Sequence, residues 1–408
     1  MGEHAVKYEQ RGELPPLKRN YPVFRFMGGN LISFFGDQIY LIAIPLLVLA
    51  LTGSPVSMGI VAALERLPIL LQPFAGILSD TYKRKRLLLI CDAGRSVLVG
   101  GIGILFILGM LEMWIVYPVV FGIGCLSQIY NTSQFASIPG LVKKKDLQAV
   151  NALNSGAFNL ALFLAPGVGG LIISVFNPGY ALLVNSFSFL VSFAAILSLQ
   201  MKGEKKASSG LSIWRDMGEG FKFVVHTKPI LYTNLAMVSS VFGTTLFLTL
   251  LVYHLKDTVN VDPVHIGWLI SIGGVGAVTG AFTSTMIRKR FSYRRILFIS
   301  SFIGGMSIVC FGLADSYYWL MVMNAVGTFT AALMSPCIIT IRQTLTPDRL
   351  LGRVQATSRL LTWMLMPLAA FLAGILAETI GTNTTIILAG TISTLASFPY
   401  LHRSLKDK

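Results

Sequence analysis

The chain reads as an all-α integral membrane protein: twelve transmembrane helices in two pseudo-symmetric six-helix bundles. Three observations carry this expectation. Apolar residues make up 54% of the 408 positions and charged ones only 12%, about half the share of a soluble globular chain (roughly 25%). The apolar residues gather in stretches long enough to span a bilayer, which takes about 20 residues. And the sequence repeats itself at half its length: Gly76 to Arg86 reads GILSDTYKRKR, and 204 positions on, Gly280 to Arg290 reads GAFTSTMIRKR.

Twelve stretches qualify as spans: 22–51, 57–79, 87–110, 113–136, 151–174, 178–200, 229–253, 264–287, 294–314, 316–340, 355–377 and 382–401. Breakers such as Gly53-Ser54-Pro55, Asn177-Pro178-Gly179 and Asp262-Pro263 fall between them. The first span is too long for a signal-peptide core and has no evident cleavage site, so it is expected to be retained. The predicted organisation is an N-terminal tail (1–21), a first six-helix half (22–200), a central loop (201–228), a second half (229–401) and a C-terminal tail (402–408). Within the central loop, Ile213-Trp214 and Gly220-Phe221-Lys222-Phe223 suggest a short amphipathic helix or a flexible linker.

Further matches run in register with the first. Val150-Asn151-Ala152 repeats as Val354-Gln355-Ala356, and Gly170 repeats as Gly374, both 204 apart. Pro55-Val56 with Gly59 repeats as Pro263-Val264 with Gly267, 208 apart. A structural repeat of this kind places a binding site at the interface of the halves, near mid-membrane.

The net charge of +15 is a topology signal. Lys and Arg collect in the loops of one side: Lys83 to Arg86, Lys143 to Lys145, the 201–228 loop, Arg288 to Arg290, Arg349 and Arg353, and both tails. The other side has a single basic residue, Lys256, beside Glu112, Asp257, Asp262 and Asp315. This asymmetry predicts cytoplasmic N- and C-termini and an even number of spans. No basic patch interleaved with aromatics exists, which argues against nucleic acid. Cys91, Cys125, Cys310 and Cys337 lie in apolar stretches without CxxC spacing, and the five histidines are scattered. Neither a metal site nor a cofactor is expected. No nucleophile set or phosphate loop points to an enzyme.

The turn after the second span, with Gly76, Asp80, Arg84 and Arg86, resembles the loop signature of the major facilitator superfamily, and the likeness runs from Tyr21 to the end. A glycine usual after the aspartate is missing, and Ser284 stands where the second copy would carry an acid. The resemblance implies that Asp80, at a helix end where its charge opposes the dipole, latches to the start of span eleven at Gly352-Arg353-Val354. The alternative is that the basic cluster fixes topology alone. Span five is similar to the family's antiporter signature: Pro166, Gly169 and Gly170 match, while Ala152, Ala161 and Ala165 replace three glycines. Phe24-Arg25, Gly36-Asp37, Leu51 to Pro55, Leu67-Pro68, Asp92, Arg95 and Asn151-Ala152-Leu153 resemble the drug-efflux branch that includes macrolide and siderophore exporters. What this implies is a monomer in the cell membrane that exports drug-like or macrolide-like amphipathic small molecules by proton antiport. A siderophore or lysophospholipid exporter of the same fold, or a proton symporter, remains an alternative.

Ionisable residues inside spans cost about 2.5–3.5 kcal/mol on insertion scales, so they normally serve a cavity or a partner. Asp37, between Gly36 and Gln38, suits reversible protonation, with Glu65 the second candidate. Asp92 and Arg95, at i and i+3, can pair on one helix face. Arg359 could attract an anionic cargo group or compensate Asp37 or Glu65. Arg342 is expected to snorkel to the basic side. Candidates for the cavity lining are Asn30, Gln38, Gln128, Asn131, Phe158, Phe242, Phe247, Trp268, Asn324 and Trp363.

Overall fold

A computed structural model describes residues 16–143, 146–199, 213–347 and 350–405. Lys144, Lys145, the loop lysines Lys202, Lys205 and Lys206, Arg349, and the outermost tail residues lie outside the described residues, as do the side chains of Asp80 and Arg215. The first half comprises α1 (Tyr21–Thr52), α2 (Pro55–Arg66), α3 (Gln72–Thr81), α4 (Arg84–Ile107), α5 (Met113–Leu141), α6 (Leu147–Val175) and α7 (Pro178–Leu197). After the linking helix α8 (Ile213–His226) come α9 (Lys228–Tyr253), α10 (Pro263–Arg288), α11 (Tyr293–Leu313), α12 (Tyr317–Leu345), α13 (Leu351–Trp363), α14 (Met366–Ile380) and α15 (Thr382–Leu395).

Among the described residues, 11 stretches are helical, long and apolar enough to cross a bilayer. The twelfth expected span, 57–79, is split. α2 gives way to a 3-10 segment, Leu67–Leu71, before α3 resumes. Pro68 and Pro73 both lack the amide hydrogen that an α-helix needs at that point. Pro367 accounts in the same way for the break between α13 and α14.

The turn signals act as caps. Gly53 ends α1 in the left-handed region at φ 62, and the Ser54 side chain accepts from the Ser57 amide at 3.3 Å. Asn177 accepts from Gly179 at 2.8 Å, and Asp262 from His265 at 3.0 Å. Such caps satisfy helix-end amides that have no partner within the helix.

Helix pairing repeats between the halves. α1 packs on α7 as α9 packs on α15, and α4 on α7 as α11 on α15. One end of the molecule gathers the arginine-rich turns and both described chain ends. There the Asn20 amide donates to the Leu141 carbonyl at 2.8 Å, Lys85 to the Leu199 carbonyl at 2.6 Å, and His402 stacks on Tyr232 at 3.7 Å. This is the basic face; the end holding Asn177 and Asp262 is the far face.

Candidate functional site: the cleft between the halves

The repeated glycines meet each other. A Cβ on Gly170 of α6 would lie 2.3 Å from the Pro263 carbonyl and 3.2 Å from the Gly267 Cα of α10. A Cβ on Gly374 of α14 would lie 2.6 Å from the Pro55 carbonyl and 3.2 Å from the Gly59 Cα of α2. Partners within each crossing come from opposite halves, and the two crossings are copies of one another. The Gly167 amide also donates across the seam to the Ser271 hydroxyl at 3.0 Å. Backbones touch this closely only where side chains are absent, so the halves are sealed toward the far face. Toward the basic face the contact thins: a Cβ on Gly76 of α3, Gly156 of α6 or Gly352 of α13 would meet nothing within 4 Å, while α13 still touches the 3-10 segment Leu67–Leu71.

Helix α6 follows this division. Ala161 and Ala165 are buried, and Gly169 faces Ile39 of α1, with a Cβ there 3.3 Å from the Ile39 Cα. Ala152 is exposed on the open side. Small residues thus let α6 touch α1 and α10 at once.

The charges of the first half converge. Asp92 and Arg95 are fully buried and hydrogen-bonded at 2.5 Å. Ser192 donates to the second Asp92 oxygen at 2.8 Å. The Arg95 guanidinium lies between two rings, 4.0 Å from the Tyr130 centroid and 4.2 Å from that of Phe189. The Tyr130 hydroxyl lies 3.2 Å from the Asn30 side-chain oxygen and 3.1 Å from the Ser192 hydroxyl, and its one proton serves one of them. Asp37 is half-buried on α1, within the electrostatic reach of Arg95, Asp92 and Glu65. Gly36 lets it sit there: a Cβ on Gly36 would be 2.1 Å from the Ser188 hydroxyl. Glu65 is half-buried, with Arg66 its nearest charge.

The second half carries a pocket of about 220 Å³ among α9, α11, α12 and α15. Its lining surface is mainly apolar, with Phe247, Ile308 and Phe311 beside Ser240, Thr244, Ser301, Thr330 and Asn324. Asn324 anchors the wall by donating to the Leu269 carbonyl at 3.0 Å.

The other cavity candidates scatter. Asn30 and Gln38 are buried inside the first bundle. Gln128 is half-buried on α5, and Asn131 is exposed. Phe158 meets Phe34 edge-on at 5.4 Å. Phe242 packs against the core, while Trp268 is exposed beside Gly167. Arg359 is exposed, with its guanidinium 4.2 Å above the half-buried Trp363 ring. Arg342 does not snorkel. It is buried and donates to Asn234 at 2.9 Å, because α12 places it against α9 instead of the helix end. Arg353 is ion-paired with Glu219 of α8, a partner with no sequence signal. At the far face burial pushes the Asp262 carboxyl up, but hydrogen bonds from the His265 amide and ring outweigh it and hold the group below the usual carboxylate range.

The family model described as transmembrane secretion effector matches residues 12–407. The chain belongs to that family, within the major facilitator superfamily. It is a multi-pass membrane transporter of small molecules and not an enzyme. It is 26% identical to the multidrug efflux pump Tap of Mycolicibacterium fortuitum, over 90% of this chain and 91% of that one. It is 22% identical to the enterobactin exporter EntS of Escherichia coli O1:K1 / APEC, over 83% and 81%. The fold is shared with the nucleoside transporter NupG (TM-score 0.75, 13% identity, 95% and 100% covered). It is shared too with a bacterial homologue of the lysosomal transporter Spinster in an inward-facing state (TM-score 0.73, 12% identity, 95% and 97% covered).

Proposed function

We propose that this transporter exports amphipathic small molecules in exchange for protons, by alternating access, with its basic face in the cytoplasm. The observation that carries the reading is the pair of glycine crossings that close the far face, together with a first-half cluster that holds one more carboxylate than arginine. The first half's membrane region holds Asp37, Glu65, Arg66, Asp92 and Arg95. Asp92 is bonded to Arg95 and Glu65 has Arg66 as its nearest charge. Asp37 has no hydrogen bond to an arginine among the described residues and shares the field of Arg95 with Asp92, so three acids face two arginines. Charge without a counter-charge is costly at this depth, so taking up one proton neutralises the cluster and giving it up recharges it. The names of the relatives, a multidrug efflux pump and an enterobactin exporter, support export. The domain division at 200 and 229 and the Asp80 latch are part of the same proposal.

Proteoliposomes with an acidic lumen, screened with lipophilic dyes, macrolides and siderophores, should load cargo as protons leave. Loading that requires the opposite gradient would mean symport and would overturn the reading. Asp37→Asn should reduce gradient-driven loading to background while cargo-for-cargo exchange continues, since exchange needs the cleft but no proton. Glu65→Gln serves as the second variant. If neither change alters the dependence on the gradient, the proton is carried elsewhere.

A further inference from the structure

Arg359 lies within the membrane-spanning stretch Leu351–Ile380. The other arginines at depth are engaged: Arg95 with Asp92, Arg342 with Asn234, and Arg66 with the Ala62 carbonyl at 3.2 Å and the neighbouring charge of Glu65. Among the described residues Arg359 has neither a hydrogen bond nor an ion pair; its one contact is the Trp363 ring.

Its direction follows from the helix. The buried side of α13 carries Val354, Thr357, Ser358 and Thr362. That side meets α9 through the Asn234–Ser358 hydrogen bond at 3.1 Å, and α8 through Gly220, where a Cβ would be 2.5 Å from the Thr357 hydroxyl. The opposite stripe, at helical spacing, holds Gly352, Ala356, Arg359 and Trp363. Beyond the break at Pro367, Ala370 and Gly374 of α14 pack on Gly59 of the other half. Arg359 is 15 residues before Gly374, on the basic-face side of that crossing. Arg359 is exposed on this stripe, which faces the first half where α13 nears the 3-10 segment Leu67–Leu71.

We infer that Arg359 and Trp363 form an anion-binding subsite in the cleft, suited to a cargo that carries a carboxylate or sulfonate on or beside an aromatic ring. The indole holds one face of the guanidinium by a cation–π contact and leaves its in-plane N–H fork available for bidentate recognition of an anion. The rest of the indole surface takes the cargo's ring by stacking. The inference rests on the cleft being the cargo path, and its test needs neither a gradient nor a transport direction.

The test uses the full chain in detergent, with its four cysteines replaced by serine or alanine and Ala356→Cys introduced one turn below Arg359. The readout is protection of that cysteine from a methanethiosulfonate reagent by naphthalene-2-sulfonate, against the neutral 2-naphthol. The sulfonate should slow labelling at least about threefold, a gain of roughly 0.7 kcal/mol. Arg359→Gln should erase that protection, Arg359→Lys should keep part of it, and 2-naphthol should act alike in all three. Equal sulfonate protection in Arg359→Gln overturns the subsite. Should Arg359→Gln fail to fold, the unaltered arginine still decides. The anionic reagent should react faster than the cationic one at Ala356→Cys, relative to their ratio at Gly156→Cys in the first half, and an identical ratio at both sites refutes the inference. A protein that binds the sulfonate yet moves no cargo with a gradient would instead refute proton-coupled export alone.

Discussion

Gly170→Leu should force the halves apart at the far face and shift the balance of open and closed forms by about ten- to a hundredfold. Overpacking costs about 1–3 kcal/mol, and each 1.4 kcal/mol is a factor of ten. The position is unforgiving because a Cβ there meets backbone, the Pro263 carbonyl at 2.3 Å and the Gly267 Cα at 3.2 Å, and not the end of a flexible side chain. The repeat predicts the same outcome for Gly374→Leu against Pro55 and Gly59. Gly156→Leu is the control, since a Cβ there meets nothing within 4 Å. Spin labels on Met110 and Tyr318, exposed at the far ends of the two halves, would report the separation by pulsed electron resonance. Both seam variants should lengthen that distance and the control should leave it unchanged. A distance distribution that Gly170→Leu does not alter would mean that these crossings do not hold the far face shut.

The seam was legible in the sequence because it is written twice. The offsets of 204 and 208 that match Gly170 with Gly374, and Gly59 with Gly267, name the four residues at the two crossings. What the repeat could not say is that matched residues serve opposite crossings, each glycine facing the other kind in the other half. Span positions were legible from hydropathy, but the break in the second span was not expected, although Pro68 and Pro73 stand where it falls. The i, i+3 pair of Asp92 and Arg95 was legible because both lie on one helix. Its surroundings were not: Ser192, Tyr130 and Phe189 come from other helices, and periodicity carries no information on which helices touch. The second half's pocket was hidden for the same reason. Single serines and threonines on four helices look like ordinary helix packing until the bundle brings them together. Arg342 was misread because distance along a helix to its end says nothing about which neighbour the side chain meets. Glu219 was invisible as the partner of Arg353, because it depends on how α8 docks on α13.

Arg95→Met should destabilise the first half by about 3–5 kcal/mol, the usual cost of stranding one member of a buried ion pair. The loss has two parts. Asp92 keeps its hydrogen bond from Ser192 but loses its counter-charge, and Tyr130 and Phe189 lose the planar group between them. Replacing both partners, Asp92→Leu with Arg95→Met, removes the stranded charge and should restore much of the stability. The double variant should therefore lose less than the sum of the single changes, by about 1–3 kcal/mol. Arg95→Lys keeps the charge but not the flat stack, and should fall between wild type and Arg95→Met. Thermal unfolding in detergent reads all of these, and strictly additive losses would show that the pair is not a unit. Transport separates the pair's second task. Arg95 is also the nearest positive influence on Asp37, so a double variant that folds well should still fail to couple cargo to protons. If it transports normally, Arg95 serves the fold alone, and the field that governs Asp37 must be supplied by other groups in the cleft.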